Sequence, residues 1–417
     1  MNIAIIGTGI SGLTAAWHLH REHRLTIFEA NDYIGGHTNT VEAEFWGETY
    51  AVDTGFIVYN DWTYPNFIQL LDRLGVTSQP TVMSFSVRCE RTGLEYNGQD
   101  LNTLFAQRFN LFRPSFHRML RDILRFNREA PALLEGDGEI SLNDYLREQR
   151  YSREFIEQYI IPMAAAIWSA EPGLMGEMPA RFFVQFFKNH GLLSVNQRPQ
   201  WRVIQGGSRN YVGPLIAPFR DRIRLNCPVE WVRRQPNHVQ VKTRHGPVER
   251  FDEVVIATHS DQALRLLADP TSREREILGA IPYQENEAVL HTDTRLLPRR
   301  KLAWAAWNYH LAAQPQTRVA VTYNMNILQS LDAPVTFCVT LNPSEAIDPA
   351  RILYRTTYHH PVFTDAGVRA QARRDEISGV NRTWYCGAYW SYGFHEDGVN
   401  SGLAVARGLL DRLAVAA

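Results

Sequence analysis

Apolar runs near both ends of the chain and in its middle predict the strands of a buried sheet. Residues 2–6 (NIAII) and 25–28 (LTIF) form short continuous apolar runs, and residues 13–20 between them have helical character. A third apolar run, 251–258 (FDEVVIAT), ends in small residues. Because short runs of this kind suit strands that are buried on both faces, the pattern predicts an α/β fold with a parallel sheet.

The first strand leads directly into a glycine-rich turn, residues 7–12 (GTGISG). In such a turn Gly7 permits the sharp change of direction, Gly9 lets the backbone approach a pyrophosphate, and Gly12 permits close packing of the helix on the strand. Glu29 ends the second strand, where its carboxylate can accept hydrogen bonds from a ribose and would repel the 2′-phosphate of NADP. The motif therefore predicts a site for FAD or NAD.

Two segments that follow decide between these cofactors. Residues 35–38 (GGHT) come shortly after the ribose acid, and residues 52–56 (VDTGF) come next. This order resembles the extended fingerprint of two-domain flavoproteins, which favours FAD. An ordinary turn is the alternative for the glycine pair considered alone.

The C-terminal part of the chain supplies a further glycine turn. Residues 383–389 (TWYCGAY) predict a strand and a turn, and residues 393–402 (GFHEDGVNSG) lead into a helix predicted over 403–413. Amides at the start of that helix would favour negative charge on a reduced flavin, and the alternative is a plain helix start capped by Asp397. The residues predicted to bind FAD, without a covalent bond, are Gly7, Gly9, Ile10, Ser11, Gly12, Glu29, Ala30, Gly36, His37, Thr38, Thr54, Gly55, Phe56, Val229, Ala257, Gly387, Asp397, Gly398 and Val399.

Segments with a recognisable pattern run in order along nearly the whole chain. They are GGHTNTV (35–41), DTGFIVYN (53–60), TYPNF (63–67), MSFSV (83–87), LFAQRFN (104–110), IPMAAAIWS (161–169), RPQW (198–201), AWAAWNY (303–309), VTLNP (339–343) and CGAYWSYGFHEDG (386–398). In these segments the sequence resembles the flavin-containing amine oxidase superfamily, which includes monoamine oxidases, phytoene desaturases and protoporphyrinogen oxidases. It is most similar to the flavin domain at the N-terminus of plant-type cyclopropane fatty acid synthases and to the stand-alone bacterial counterparts of that domain.

The resemblance implies how the chain is organised. A Rossmann-type FAD-binding domain would be built from the discontinuous segments 1–75, 200–280 and 375–417. An inserted α+β substrate domain would comprise residues 76–199 and 281–374. The dinucleotide-binding signals agree with this division, since they cluster at both ends of the chain and in its middle.

Amine oxidases of this superfamily usually have a lysine near the flavin, in the strand that follows the second cofactor-binding segment. Here residues 281–290 (IPYQENEAVL) contain no lysine, and lysine occurs only at Lys188, Lys242 and Lys301. This departure argues against amine oxidation.

Composition and charge exclude several classes of protein. The 417 residues are 45% hydrophobic and 21% charged, which is typical of a folded globular protein. A formal net charge of −1 gives no general attraction to nucleic acid. The four cysteines form no CxxC pair, which argues against a metal site or a disulfide framework and suits a reducing compartment. Because the N-terminus has no basic leader and no apolar run could span a bilayer, we expect a cytoplasmic protein.

Aromatic residues are candidates for the substrate site, since hydride transfer from an apolar carbon needs a dry slot. They cluster at 182–187, 304–323 and 384–394, although packing in the core is the alternative for each. For proton transfer we expect His395 and Glu396 first, with Tyr309 and His310 next. A structural role in orienting the turn is the alternative for His395, and the reaction need not use a dedicated base.

Residues 107–128 contain six arginines and a single acidic residue. From Pro114 onward, apolar positions recur at helical spacing beside Arg118, Arg121 and Arg125. A basic amphipathic helix can lie on an anionic lipid surface, here the inner face of the membrane, and the alternative is the solvated face of an ordinary helix.

Together these observations predict an FAD-dependent oxidoreductase that dehydrogenates, and so desaturates, a lipid-like substrate such as a modified acyl chain of a membrane phospholipid. One alternative is a flavin amine oxidase. Another is a flavin-bearing accessory module for a partner methyltransferase of the cyclopropane synthase type, because the resembled domain occurs fused to such a synthase.

Overall fold

The computed structural model describes residues 1–136, 138–314 and 317–416. Its strands are β1 (Asn2–Ile6), β2 (Arg24–Phe28), β3 (Thr40–Phe45), β4 (Glu48–Asp53), β5 (Tyr59–Asn60), β6 (Ser78–Thr81), β7 (Phe85–Cys89), β8 (Leu94–Asn97), β9 (Trp201–Ile204), β10 (Ile223–Arg224), β11 (Val229–Arg234), β12 (Val239–Thr243), β13 (Val248–Phe251), β14 (Glu253–Ile256), β15 (Tyr283–His291), β16 (Trp307–Leu311), β17 (Val321–Asn324), β18 (Cys338–Leu341), β19 (Ile352–Pro361) and β20 (Thr383–Tyr385). Its α-helices are α1 (Ile10–Leu19), α2 (Pro65–Leu74), α3 (Leu101–Leu104), α4 (Pro114–Glu129), α5 (Leu142–Glu148), α6 (Arg153–Phe155), α7 (Ile161–Trp168), α8 (Pro172–Met175), α9 (Ala180–Asn189), α10 (Val212–Ile216), α11 (Ser260–Leu266), α12 (Ser272–Gly279), α13 (Met325–Leu328), α14 (Asp365–Gln371) and α15 (His395–Ala416).

Strand β1 lies at the centre of a five-stranded parallel sheet with the order β10-β2-β1-β14-β20. Ile5 of β1 stands opposite Ile27 on one side and Val255 on the other, and all three side chains are buried. Burial on both faces explains why these strands are continuous apolar runs. The predicted α/β fold, with a nucleotide-binding sheet built from distant segments, is confirmed.

Helix α15 packs against α1 through two glycines. A Cβ on Gly402 would lie 2.4 Å from the carbonyl oxygen of Ser11, and one on Gly398 would lie 2.6 Å from Cγ2 of Ile10. The helix begins at His395, eight residues before the predicted start at residue 403. The prediction was wrong here because glycine is a weak helix former, whereas the close approach of the two helices requires it inside the helix.

A seven-stranded sheet has the order β19-β15-β18-β17-β16-β7-β8 and forms the second part of the molecule. Its neighbouring strands are antiparallel except for β16 and β7, which are parallel. The largest hydrophobic core includes residues of this sheet together with aromatic side chains of the helices, such as Phe126, Phe155 and Phe183.

Three smaller sheets have the orders β3-β4, β5-β9-β6 and β11-β12-β13. The sheet β5-β9-β6 joins the two predicted domains, because β6 belongs to the segment 76–199 and the other two strands belong to predicted FAD-binding segments. Each of the other sheets draws its strands from one predicted domain. The domain boundaries themselves stay a prediction.

Helix α4 covers most of the basic stretch for which a lipid contact was predicted. Its apolar side packs into the core through Phe116, Met119 and Phe126. Arg118 and Arg125 form ion pairs with carboxylates of the protein. The structure therefore favours the alternative of an ordinary helix for residues 114–129. In the three described ranges, every helix is too short or too polar to traverse a bilayer.

Candidate functional site

The turn between β1 and α1 has a backbone geometry that two of its glycines require. Gly7 has a φ of +106°, and a Cβ on it would lie 2.8 Å from the carbonyl oxygen of Ala257. A Cβ on Gly12 would lie 2.3 Å from the carbonyl oxygen of Gly7. Both positions are therefore restricted to glycine by the protein itself. Ile10 and Ser11 lie in the first turn of α1, which has amide groups without helical partners.

Gly9 differs, because nothing in the protein demands a glycine there. Its φ of −67° and ψ of 171° suit any residue, and a Cβ on it would meet no other atom within 4 Å. Gly36 lies beside it, since a Cβ on Gly36 would be 3.2 Å from Cα of Gly9, and Gly35 forms a parallel bridge with Gly9. The two glycine motifs thus meet around open space at the N-terminus of α1, which fits the pyrophosphate of FAD.

The segments 35–38 and 53–56 pack directly on each other. The Phe56 N–H donates to the carbonyl oxygen of His37 at 2.7 Å, and a Cβ on Gly55 would lie 2.3 Å from the same oxygen. The Thr54 hydroxyl lies 3.0 Å from the Tyr358 hydroxyl on β19. These contacts connect the predicted cofactor residues to the edge strand of the seven-stranded sheet.

Glu29 is buried at the end of β2, beside the glycine turn. Its Oε2 accepts hydrogen bonds from the Thr8 N–H at 3.0 Å and from the Thr8 hydroxyl at 2.5 Å. The Cys227 N–H donates to the carbonyl oxygen of Glu29 at 2.8 Å, which brings the segment leading to Val229 alongside. Ala30 is exposed next to it. The arrangement places the predicted ribose acid and Val229 on neighbouring segments.

The C-terminal segment closes this region. The Gly387 N–H donates to the Ser401 hydroxyl at 3.0 Å, and Val399 is buried in α15. Oδ2 of Asp397 accepts the Phe394 N–H at 2.9 Å, so this carboxylate caps α15 from inside its first turn. The cofactor residues predicted from separate segments therefore lie on elements that contact one another; their individual roles stay predictions.

His395 lies in a buried network rather than in an open site. Its ring stacks on Phe56 with centroids 3.5 Å apart, and its Nε2 lies 2.9 Å from the Tyr211 hydroxyl and 3.2 Å from the Thr38 hydroxyl. Burial lowers the pKa of His395 to about 3, so the ring is neutral near pH 7. The geometry thus favours the alternative of a structural histidine over a proton relay.

Glu396 also has a complete set of partners. Its Oε1 accepts the Asn66 N–H at 3.0 Å, and its Oε2 accepts the Phe67 N–H at 2.8 Å. The carboxylate therefore satisfies free amides at the start of α2. By contrast, burial raises the pKa of the neighbouring Asp397 to about 6, against the opposing effect of the Phe394 N–H.

Tyr309 and His310 lie on β16 and are not brought together with His395 and Glu396. Tyr309 is buried in the core beside Phe85, and Nε2 of His310 lies 3.0 Å from Oε1 of Glu90. Strand β16 is four positions away from β19, or about 19 Å at the usual spacing of strands. Their predicted catalytic role has no geometric support in this arrangement.

Asp53 lies in the motif at residues 52–56, but no role could be predicted for its side chain from the sequence. Asp53 is fully buried, and its Oδ1 accepts hydrogen bonds from the Thr40 hydroxyl at 2.6 Å and from the Ser208 N–H at 2.9 Å. Burial raises the pKa of Asp53 to about 6, although these hydrogen bonds oppose the shift. Ser208 follows the glycine pair 206–207, which was the only sequence signal for this contact.

A group of aromatic rings beside His37 was missed altogether. His37 stacks on Tyr358 with centroids 4.8 Å apart and lies 5.5 Å from His360 and 6.1 Å from His259. Burial and the neighbouring histidines lower the pKa of His37 well below its usual value. Burial also lowers the pKa values of His259 and His360 to about 4. No local pattern links these residues, because α11, β19 and the glycine loop meet only in the folded chain.

A pocket of about 330 Å³ opens at the start of α15. Among its lining residues are Trp62, His190, Tyr392, Phe394 and Asp397. Phe186 of α9 stacks on Phe394, with the ring centroids 5.2 Å apart. The predicted aromatic groups of 182–187 and 384–394 are thus brought together between the two parts of the molecule, whereas those on β16 and β17 lie elsewhere.

The three lysines are absent from the lining of this pocket. Lys188 is exposed on α9, Lys301 lies over the ring of Trp304, and Nζ of Lys242 donates to carbonyl oxygens of its own hairpin. Strand β15, where a lysine would be expected in an amine oxidase, carries buried Asn286 instead. Among the described residues, no cluster of histidine, cysteine and acidic side chains could hold a metal ion.

Comparison with known proteins places these features in a family. A family model of flavin-containing amine oxidoreductases matches residues 10–319. An L-amino-acid oxidase of Siganus canaliculatus is 23% identical over 322 residues, which cover 70% of this chain and 56% of that protein, so the chain spans about half the length of this relative.

Two solved structures are similar over almost their whole length. Cyclohexylamine oxidase from Brevibacterium oxydans IH-35A has a TM-score of 0.69 and 17% identity, with 99% of both chains covered. The CLA-producing fatty acid isomerase from P. acnes has a TM-score of 0.67 and 15% identity, with 97% of this chain and 98% of that chain covered. The chain therefore belongs to the family of flavin-containing amine oxidoreductases.

Proposed function

We propose that this enzyme dehydrogenates a lipid-like substrate, such as a modified acyl chain of a membrane phospholipid. The observation that carries the proposal is the pocket at the start of α15, where the aromatic side chains of Trp62, Tyr392 and Phe394 lie among polar lining residues. Aromatic walls exclude water and hold an apolar chain by its surface rather than by charge. The resemblance to the flavin domain of cyclopropane fatty acid synthases favours the same substrate class.

FAD supplies the hydride acceptor when it is bound. Formation of a carbon–carbon double bond removes a hydride from one carbon and a proton from its neighbour, so the proton needs an acceptor. The Asp397 carboxylate is our candidate, because it lines the pocket and burial raises its pKa to about 6. A group with that pKa is ionised at neutral pH and is still basic enough to take up the proton.

Amine oxidation is the second candidate, since the L-amino-acid oxidase and the cyclohexylamine oxidase support it. The absence of lysine from β15 weighs against it, because it departs from the pattern of the amine oxidases that the sequence resembles. A positively charged amine would need a carboxylate partner in the same pocket. The Glu396 carboxylate already accepts hydrogen bonds from backbone N–H groups of α2.

The deciding experiment follows the FAD absorbance of the purified protein in the absence of oxygen. We expect bleaching with phospholipids that carry methylated or unsaturated acyl chains, and no bleaching with cyclohexylamine or L-amino acids. Bleaching with the amines alone would reject the lipid proposal in favour of amine oxidation. Reduction of the isolated protein by lipid would also exclude a purely accessory role beside a methyltransferase.

A matched pair of variants locates the substrate. Trp62 is 48% exposed at the pocket, and Trp46 is 85% exposed on the hairpin between β3 and β4. We expect Trp62→Ala to raise KM for the lipid roughly tenfold, because apolar contact area is lost, and Trp46→Ala to leave it unchanged. Equal effects of the two substitutions would show that the substrate does not occupy the pocket.

A further inference from the structure

Two segments far apart in the chain form one exposed edge of the molecule next to β8, which we call the basic edge. It comprises residues 101–113 and residues 299–302. Helix α3 packs beside the turn that contains residues 301–303, so the two segments are adjacent. The edge is distinct from the aromatic pocket, with which it shares no residue.

Large apolar side chains point outward on the basic edge. Phe109 is 77% exposed and Phe112 is 79% exposed. They lie three residues apart in a 3₁₀ turn, so they share one face of it. Leu101 on α3 is 76% exposed, and Leu302, in the turn beside α3, is 39% exposed. Exposed large apolar groups in one place mark a surface that contacts something else.

Buried Glu95 on β8 fixes both segments of the edge. Its two carboxylate oxygens accept the backbone N–H groups of Arg299 at 2.9 Å and Arg300 at 3.1 Å. On the other side, the side chain of Gln107 accepts the Glu95 N–H at 2.9 Å. The Arg108 guanidinium then donates to the carbonyl oxygens of residues 102 and 105, which ties α3 to the 3₁₀ turn. The outward-facing groups are thus held by the fold.

The cations of the edge have no carboxylate partners. Many exposed arginines elsewhere form ion pairs, as Arg147 does with Asp144 and Arg153 with Glu157. In the described ranges, the cations of the edge form no ion pair; they are Arg108, Arg113, Arg299, Arg300 and Lys301. Apolar tips among cations that form no ion pair are complementary to a surface that is apolar inside and anionic outside.

We propose that the basic edge docks the protein on an anionic phospholipid bilayer, with Phe109 and Phe112 inserted at the interface and the cations on the headgroups. This contact overlaps the stretch predicted from sequence, 107–128, only at residues 107–113, and it does not use helix α4. Helix α4 turns its apolar side into the core, so the insertion falls to the turn before it and to the segment 299–302, which sequence could not place nearby. The docking is independent of the reaction catalysed in the pocket.

Co-sedimentation of the FAD-loaded protein with vesicles tests the proposal. We expect binding to phosphatidylcholine vesicles that contain phosphatidylglycerol, little binding to phosphatidylcholine alone, and release by salt. The double variant Phe109→Ser/Phe112→Ser should weaken binding at least about tenfold. The triple variant Arg299→Gln/Arg300→Gln/Lys301→Gln should weaken it about 100-fold, because each cation near an anionic surface contributes.

Matched controls separate docking from general effects. Trp46→Ser removes an equally exposed aromatic residue elsewhere, and Arg147→Gln/Arg153→Gln/Arg265→Gln removes three exposed cations that are already paired. Both should bind vesicles as the parent protein does. Failure of the parent protein to bind anionic vesicles would overturn the proposal, as would equal losses in the edge and control variants. Loss of self-association in Phe109→Ser/Phe112→Ser, with vesicle binding unchanged, would assign the edge to a second copy of the chain instead.

Discussion

The nucleotide-binding turn and the seven-stranded sheet handle buried polar groups in opposite ways. Around the turn the glycines carry no side chain, so segments of backbone and the helices α1 and α15 can approach one another closely. In the sheet, polar side chains satisfy one another. His291 is fully buried, and its Nε2 lies 2.7 Å from the Thr340 hydroxyl, which in turn lies 2.8 Å from the Thr322 hydroxyl.

The difference predicts which kinds of substitution destabilise each region. A region built from close backbone contacts is damaged by added atoms, because the neighbouring backbone cannot move aside. A region built from hydrogen-bonded side chains is damaged by removal of one partner or by a change of charge, because the remaining group is left buried and unsatisfied. Four substitutions test this contrast.

The largest effect is expected where an added side chain meets backbone. Gly402→Val would place its Cβ 2.4 Å from the carbonyl oxygen of Ser11, between α1 and α15. We expect the free energy of unfolding to fall by more than about 4 kcal/mol, measured by denaturant unfolding or seen as loss of soluble protein. Gly213→Ala is the control, since a Cβ there meets nothing within 4 Å. A stable Gly402→Val protein would show that α1 and α15 do not pack as described.

Gly9→Val separates folding from cofactor binding. Because the protein itself leaves space around Gly9, the variant should unfold at the same temperature as the FAD-free parent protein. The side chain would occupy the space that fits the pyrophosphate, so FAD affinity should fall roughly 100-fold or more, measured by titration of the FAD-free protein. A yellow variant that retains FAD through purification would contradict the assignment of this turn.

In the seven-stranded sheet, we expect low pH to reduce the stability of the protein through protonation of His291. Burial lowers its pKa from 6.5 to about 4, so between these pH values the unfolded chain binds more protons than the folded one. The contribution of His291 to the free energy of unfolding is therefore fully present above pH 6.5 and is lost as the pH falls towards 4. Between neutral pH and pH 5 we expect this group to account for about 2 kcal/mol of the lost stability.

His291→Gln should weaken that pH dependence, measured by urea unfolding at the two pH values. Other histidines whose pKa values burial lowers, such as His190 to about 4 and His395 to about 3, remain in the variant and contribute to the residual slope. An unchanged slope would mean that His291 is protonated or exposed in solution.

The smallest expected effect concerns a single hydroxyl. Thr340→Val keeps the shape of the side chain but leaves both Nε2 of His291 and the Thr322 hydroxyl without this partner. We expect a loss of about 1 kcal/mol in the free energy of unfolding. Thr322→Val, at the end of the chain of hydrogen bonds, should cost less. A larger effect of Thr322→Val would reverse the proposed order of the network.

Much of the cofactor region could be predicted from the sequence because its signals are local. The strand, the spacing of Gly7, Gly9 and Gly12, and Glu29 at the end of the next strand all lie within the first 29 residues. The backbone conformation of the turn and the exclusion of side chains from it depend on a few neighbouring residues, so a short motif is enough to predict them. The start of α15 was misjudged for the related reason that the need for Gly402 comes from a helix almost 400 residues earlier.

The candidate catalytic residues could not be predicted in the same way. Histidine, tyrosine and acidic side chains acquire their roles from burial and partners, and these come from distant segments. The sequence favoured His395 for proton transfer, whereas burial against Phe56 and contact with Tyr211 leave it neutral. Burial also raises the pKa of Asp397, and the spacing of residues in the sequence does not reveal that burial.

Residue types at local positions were enough to predict the family, the glycine-rich turn between β1 and α1 and the lack of a lysine on β15. The folded chain was needed to show which aromatic residues share a pocket and that the turn at residues 301–303 lies beside α3. The physical reason is that pockets and surfaces are made by long-range packing. Their members are neighbours in space through the hydrogen bonds of groups such as Glu95, and not through their order in the chain.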